Sequence, residues 1–402
     1  MVNEMPELDL IRNTVRQITK KFDAKYWREK TMAGEPVDEL WDALVEAGFF
    51  GIMIPEEYGG SGLGVRALAA VMEEFCTQGV LPPFIFTNSM AGITLTKHGT
   101  EEQKRRYLPP VIRGEERFSF SITEPDAGTN SLRIKTMARR DGDDYVINGQ
   151  KIWSSNIDQA DNVFLVARTE AADKVERKQK GLTLLIVPQE SAGLSWQPIP
   201  VWVHSPPVGK KYWKTDGGPV PSSFSAFYDN VRVPVTNVLG KEGEGFRAMF
   251  DALNPERILA AMFCVGMGRW ALQKAVEYAR ERKVFGDTPI GAYQGLAHPM
   301  AIAKTHLELA ALMAHHAAEQ FDAGGDAREI GMYCNMAKYA AAEAAIEAVD
   351  IAIQAFGGLG HSEEVGLTFI YPHVRLYRTT PVAREMVLNH IAEYVLGLPR
   401  SY

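Results

Sequence analysis

The chain has 402 residues, more than one ordinary core accommodates, and is 46% hydrophobic and 23% charged. This predicts two or three packed units and excludes global disorder. Its formal net charge of −7 argues against a nucleic-acid partner and leaves room only for a local basic pocket. Three cysteines, Cys76, Cys264 and Cys334, lie far apart in apolar helical surroundings. They read as reduced core residues, with neither a disulfide framework nor metal spacing. The start, "MVNEMPELDL", is acidic where a signal peptide needs positive charge, and no apolar run reaches the roughly eighteen residues of a membrane span, so a cytoplasmic chain is expected.

To about residue 115 apolar residues recur every three or four positions, as in "VDELWDALVEAGFFGIMI" and "RALAAVMEEFCTQGV", with breaks such as "PEEYGGSGLG". This is a helical unit. From Phe118 to about Val235 the texture changes to short β-branched and aromatic runs, "YVING", "NVFLVA", "LTLLIV" and "FSAFYDNVRV", which predict a compact sandwich or barrel. Within that region Val203–Ser223 holds too much Pro and Gly for regular structure and reads as a long loop, while the basic run Asp173–Gly181 reads as a solvated one. Helical texture then returns and lasts to the end. Ile258, Met262, Val265, Leu272 and Val276 share one stripe of a long helix, and a second long helix from Glu329 to about Phe356 stops at Gly357-Gly358. The stretch "NPERIL" (Asn254–Leu259) reads as a helix start: Asn254 as cap, Pro255 with its preset φ, and Glu256 at the positive end of the dipole. The expected fold class is an α+β multidomain chain: a helical domain over 1–116, a central β domain over 117–236 and a helical domain over 237–402.

Five stretches, "FSFSITEPDAGT" (Phe118–Thr129), "INGQKIWSSN" (Ile147–Asn156), "VRVPVTNVLG" (Val231–Gly240), "ERKVFG" (Glu281–Gly286) and "IQAFGGLG" (Ile353–Gly360), occur in this order. In that order they resemble the acyl-CoA dehydrogenase family of flavoproteins. The resemblance implies an N-terminal helical domain, a central β domain and a C-terminal four-helix bundle. It also implies bound FAD and assembly as a homotetramer, or a homodimer. In such a site Phe120, Ile122 and Thr123 would hydrogen-bond the pyrimidine side of the flavin, and Thr129 would approach the bound thioester. Trp153 would stack on the flavin, and Ser155 would place a hydroxyl near N5, where family members often have Thr. Arg282, Phe285, Gln354, Gly357 and Gly358 match positions that hold the FAD pyrophosphate and adenosine, partly from a neighbouring subunit. The residue types suit these tasks, since Arg neutralises a pyrophosphate, hydroxyl and N–H groups tune a flavin, and paired glycines admit close backbone approach.

Enzymes of this kind need a carboxylate to remove the α-proton of an acyl-CoA thioester. Most of the family carries it in a "YEGT" tetrapeptide near the C-terminus, which this chain lacks. Ungapped counting from the "GGLGH" glycines puts the Glu position on Pro381. Matching "YPHVRLYR" (Tyr371–Arg378) to the family's similar run moves it to Val387, and this alignment is preferred because it keeps more identities. Neither residue can abstract a proton. A minority arrangement, in the isovaleryl-CoA and long-chain branches, places the base on the helix that "NPERIL" would open, so the resemblance makes Glu256 the base and sets Arg257 toward the CoA portion. Glu385 and Glu364 are the fallback carboxylates. A helix N-terminus favours an ionised Glu256 whereas burial beside an acyl chain opposes it. The family also takes one thioester-polarising donor from the backbone N–H at the "YEGT" Glu position; Val387 has that group and Pro381 does not.

The expected activity is FAD-dependent dehydrogenation of an acyl-CoA to a trans-2-enoyl-CoA, within fatty acid metabolism, with electrons passed to an electron-transfer flavoprotein. The alternatives are an oxygen-using flavoprotein of the same fold, whether oxidase or monooxygenase, and a non-catalytic flavin-containing binding protein.

Overall fold

In the computed structural model, which describes residues 6–400, six helices come first: α1 (Pro6–Lys21), α2 (Ala24–Ala33), α3 (Asp38–Glu46), α4 (Gly64–Thr77), α5 (Pro83–His98) and α6 (Glu101–Ile112). Seven strands follow: β1 (Phe118–Ser121), β2 (Met137–Asp141), β3 (Asp144–Ser155), β4 (Asn162–Arg168), β5 (Leu182–Pro188), β6 (Leu194–Pro198) and β7 (Ser223–Pro234). The chain then returns to helices: α7 (Gly245–Glu281), α8 (Gln294–Asp322), α9 (Ala327–Phe356), α10 (Leu367–Leu376) and α11 (Arg384–His390). The succession of helices, sheet and helices is the one the sequence texture predicts, and no regular element lies between Pro198 and Ser223.

By packing, the chain forms two compact units, one of Met1–Arg28, Leu63–Pro82 and Asn254–Tyr402 and the other of Glu29–Gly62 and Pro83–Leu253. The first is all helical. Its helices come very close: a Cβ at Gly266 on α7 would lie 2.4 Å from the Cβ of Cys76 on α4, so only glycine fits that crossing. Asp322, at the end of α8, accepts hydrogen bonds from the backbone N–H groups of Val65 and Arg66 (2.7 and 2.9 Å), satisfying the first turn of α4.

In the second unit the expected sandwich or barrel takes the form of one curled, seven-stranded sheet in the order β1-β4-β2-β3-β7-β6, with β5 paired to β4. Every residue of β4 is buried. Its side chains alternate between two cores: Phe164 and Val166 join residues of α5 and α6, while Val163, Leu165 and Ala167 pack with Tyr145, Phe224 and Val231 from β3 and β7. A capping box between Thr100 and Gln103 starts α6, and the same Gln103 amide donates to the carbonyls of Thr236 and Val238 beyond β7.

One expectation is corrected. Asn254-Pro255 does not open a helix, because α7 begins at Gly245 and Pro255 lies inside it. Proline removes one helical N–H there, but the buried run from Ile258 through Val265 carries the helix across that loss. Glu256 is therefore a mid-helix residue. Among the described residues no helix is long and apolar enough to cross a membrane, and no group of three or more His, Cys, Asp or Glu residues is placed to hold a metal.

Candidate active site

Glu256 and Arg257 are neighbours on α7 with different surroundings. Arg257 is buried; its guanidinium donates to Asn335 Oδ1 on α9 and, at 2.9 Å, to Asn254 Oδ1. The guanidinium expected to turn toward CoA is thus held by two amides within its own unit. Glu256 is half-buried, and among the described residues its carboxylate accepts no hydrogen bond and forms no ion pair. Loss of hydration pushes it up to about 7, against the opposing pull of Arg257. The first turn of α7 is eleven residues away, so the helix dipole that the sequence offered does not act on it and burial wins. Tyr377, raised by burial and packed on Phe263 at 4.7 Å, also feels the Glu256 charge. The fallback carboxylates Glu364 and Glu385 are exposed.

The segment after α10 is tied from α9. Arg378 donates to both carboxylate oxygens of Glu343, one at 2.8 Å, and Arg384 lies 3.5 Å from the same carboxylate. Lys338, 2% exposed, donates at 2.6 Å to the Val382 carbonyl, and burial pushes its ammonium down to about 8. Val387 is buried inside α11 with its N–H bonded to the Ala383 carbonyl at 3.1 Å. Val387 therefore cannot serve as the donor, since a helical N–H already in use cannot polarise a substrate. In the peptide whose carbonyl Lys338 holds, the N–H belongs to Ala383, and among the described residues it makes no hydrogen bond.

In the sheet unit, "FSFSITE" and "KIWSS" are not ladder partners, yet they are joined along their length. Ser119 Oγ donates to the Ser155 carbonyl (2.7 Å), the Ser121 and Ser154 hydroxyls share a bond (2.6 Å), and the Ile152 N–H reaches the Thr123 carbonyl (2.9 Å). Lys151 Nζ donates to the Ile122 carbonyl (2.8 Å) and to Glu124 Oε1 (3.0 Å). The β3–β7 register slips between Lys151 and Ser154, which frees Ile152 and Trp153 from β7 and leaves Trp153 left-handed (φ 63°) and 51% exposed. Phe120, Ile122 and Thr123 are half-buried, while Ser155 and Thr129 are exposed. The ties made by Ser119, Ser121, Glu124, Lys151 and Ser154 were missed in the sequence. These residues stand inside the quoted motifs, but nothing in their spacing reveals which of them bond across.

In the helical unit, Tyr278 stacks on Phe356 (4.3 Å, 22°) and sets the ends of α7 and α9 side by side. Arg282 and Phe285, 81% exposed, follow α7 on one side. Gln354, Gly357 and Gly358 end α9 on the other, all exposed, and a Cβ at either glycine would meet nothing within 4 Å. Within the sheet unit, an exposed indole and Thr123 N–H and hydroxyl donors that are unbonded among the described residues suit a flavin ring and its pyrimidine edge; within the helical unit, an accessible arginine beside open glycines suits a pyrophosphate.

The chain matches "Acyl-CoA dehydrogenase, N-terminal domain" over residues 5–115, the family's middle domain over 119–204 and its C-terminal domain over 243–396. The chain belongs to the acyl-CoA dehydrogenase family. It is 42% identical to acyl-CoA dehydrogenase FadE12 of Mycobacterium tuberculosis (strain ATCC 25618 / H37Rv), over 99% of this chain and 98% of that protein. It is 32% identical to the caffeyl-CoA reductase-Etf complex subunit CarC of Acetobacterium woodii, over 94% and 96%. The structure of a glutaryl-coenzyme A dehydrogenase in complex with glutaryl-CoA superposes with a TM-score of 0.87 at 30% identity, covering 100% of this chain and 98% of that one. Members of the acyl-CoA dehydrogenase family bind FAD and oxidise acyl-CoA, and the fold described above is theirs.

A Glu held at about 7, against about 4.3 in an unfolded chain, binds its proton more tightly in the fold. Stability attributable to it therefore falls as pH rises through that window, by roughly 4 kcal/mol once both states are ionised. Thermal unfolding of Glu256→Gln is expected to show a higher midpoint than wild type at pH 8, a much smaller gain at pH 5 and little difference at pH 4; an equal gain at all three values would contradict the burial of an ionising group.

Proposed function

We propose that the protein removes the α-proton of an acyl-CoA thioester with Glu256 and yields a trans-2-enoyl-CoA. The observation that carries this reading is a half-buried carboxylate, without a hydrogen bond among the described residues and poised at about 7, in a chain whose "YEGT" base is absent. A general base serves best when its pKa lies near the working pH, and an unbonded carboxylate keeps its lone pairs for the substrate. Arg257, fixed by Asn254 and Asn335, limits how far burial raises Glu256 and stands as the candidate contact to CoA. Thr129 is its candidate counterpart near the thioester. When bound, FAD supplies the hydride acceptor for the β-hydrogen. Phe120, Ile122, Thr123, Trp153 and Ser155 would orient the flavin ring; Arg282, Phe285, Gln354, Gly357 and Gly358 would hold the remainder. For the thioester carbonyl, the Ala383 N–H, aimed away from the Lys338-held carbonyl, is the donor that takes the role Val387 and Pro381 cannot.

Electrons would leave to an electron-transfer flavoprotein, a reading supported by the relative whose printed name places it in an Etf complex. Ile302, Leu309 and Leu312 leave α8 with an exposed apolar row (50, 60 and 64% exposed) at helical spacing, the kind of face that association into a homotetramer or homodimer would cover.

The test is anaerobic mixing with butyryl-, isovaleryl-, palmitoyl- and 3-phenylpropionyl-CoA while flavin absorbance is followed. Wild type is expected to bleach with one class, with kcat/KM rising through about pH 7 as Glu256 loses its proton, and Glu256→Gln to be slower by ~10²–10⁴-fold. A flavin-loaded wild type that no thioester bleaches would favour the oxygen-using or non-catalytic alternatives. Ala383 has φ −58°, which proline accepts, so Ala383→Pro removes little but the N–H. It is expected to slow bleaching by ~10²–10³-fold with FAD still bound; an unchanged rate would remove Ala383 from the mechanism.

A further inference from the structure

Lys151 is 0% exposed in the middle of the sheet unit. A lysine there is a costly way to fill space, since burying an ammonium sacrifices several kcal/mol of hydration and an apolar side chain of similar size often serves stability as well or better. Its partners show where the charge goes. Nζ lies 2.8 Å from the Ile122 carbonyl and 3.0 Å from Glu124 Oε1. The Glu124 carboxylate in turn accepts the Lys135 and Thr136 backbone N–H groups at 2.7 and 2.8 Å, so it is already satisfied from the chain and fixed in place. The Ile122 carbonyl belongs to the same peptide as the Thr123 N–H. That N–H makes no hydrogen bond among the described residues, while the Thr123 carbonyl is pinned by Ile152.

We infer that Lys151 is a positioning residue for the flavin: its ammonium, bound to the Ile122 carbonyl, aims the Thr123 N–H and strengthens it as a donor to the negative charge that two-electron reduction places on the pyrimidine side. A cation on the oxygen of an amide draws electron density through the peptide and makes its N–H the better donor, as in any polarised chain of hydrogen bonds. This rests on the reading that Phe120–Thr123 faces FAD. Burial holds the ammonium down to about 8, with Glu124 opposing that shift and Arg168 adding slightly to it, so the charge is present at neutral pH. Glu124 and Arg168 are the charged groups that face it.

The experiment is the flavin reduction potential, by equilibration with a reference dye, in wild type, Lys151→Met and Lys151→Arg loaded with FAD. Lys151→Met is expected to keep FAD but shift the equilibrium constant for reduction about tenfold toward the oxidised form, the difference between a charge-assisted and an ordinary hydrogen bond. Lys151→Arg should recover most of that shift. Lys151→Met reduced at the wild-type potential would overturn the inference. Should Lys151→Met not hold FAD, Lys151→Gln, which keeps a neutral donor toward the Ile122 carbonyl, takes its place: a potential shifted toward the oxidised form is expected, and the wild-type potential would overturn the inference. A wild type that takes up no FAD would instead defeat the reading on which the inference stands.

Discussion

Burial of the Glu256 carboxyl beside Arg257, with no hydrogen bond among the described residues to satisfy it, is the constraint on which the proposed chemistry depends. A carboxylate in water is too weak a base for a carbon acid, and one fully buried alone would never ionise. Here the balance falls near neutrality because burial raises the group and a single guanidinium lowers it. The guanidinium is itself kept from pairing directly with the carboxylate by two asparagines, Asn254 and Asn335. A direct ion pair would have driven Glu256 down into the ordinary carboxylate range and tied up the lone pairs a base needs.

Each unit also uses a buried lysine in the same physical way. Lys338 holds the Val382 carbonyl and Lys151 the Ile122 carbonyl; in each case the following N–H, of Ala383 or Thr123, makes no hydrogen bond among the described residues. A backbone N–H left without a partner is costly unless something polar meets it, and a peptide clamped by its oxygen cannot swing to find another acceptor. The arrangement suits a family whose reaction builds negative charge on a thioester oxygen and on a flavin ring, because fixed donors need no reorganisation when that charge appears.

Much of the architecture was legible from periodicity alone. The change from three- and four-residue spacing to β-branched runs near Phe118, and back near Gly245, is visible because each texture records which face of an element is buried. What was not legible required knowledge of distant neighbours. "NPERIL" has the letters of a helix start, yet packing of Ile258–Val265 against other helices carries α7 through Pro255. Val387 offered an N–H on paper, but helix α11 consumes it. The bond of the Ile152 N–H to the Thr123 carbonyl follows a register slip in β3 that no local signal announces. Glu256 itself was singled out by the resemblance, whose minority branches carry the base on this helix, once the usual tetrapeptide proved missing; its burial, and its lack of hydrogen bonds among the described residues, appear only in three dimensions.

The central claim is that Glu256 takes the α-proton. Its most direct test is exchange of that hydrogen with solvent deuterium in an acyl-CoA thioester bound to the anaerobic enzyme, followed by mass spectrometry for wild type and Glu256→Gln at matched occupancy. The account predicts incorporation of deuterium at the α-carbon by the wild type and none above background by the variant. Incorporation by Glu256→Gln at the wild-type rate would place the base elsewhere and contradict the account.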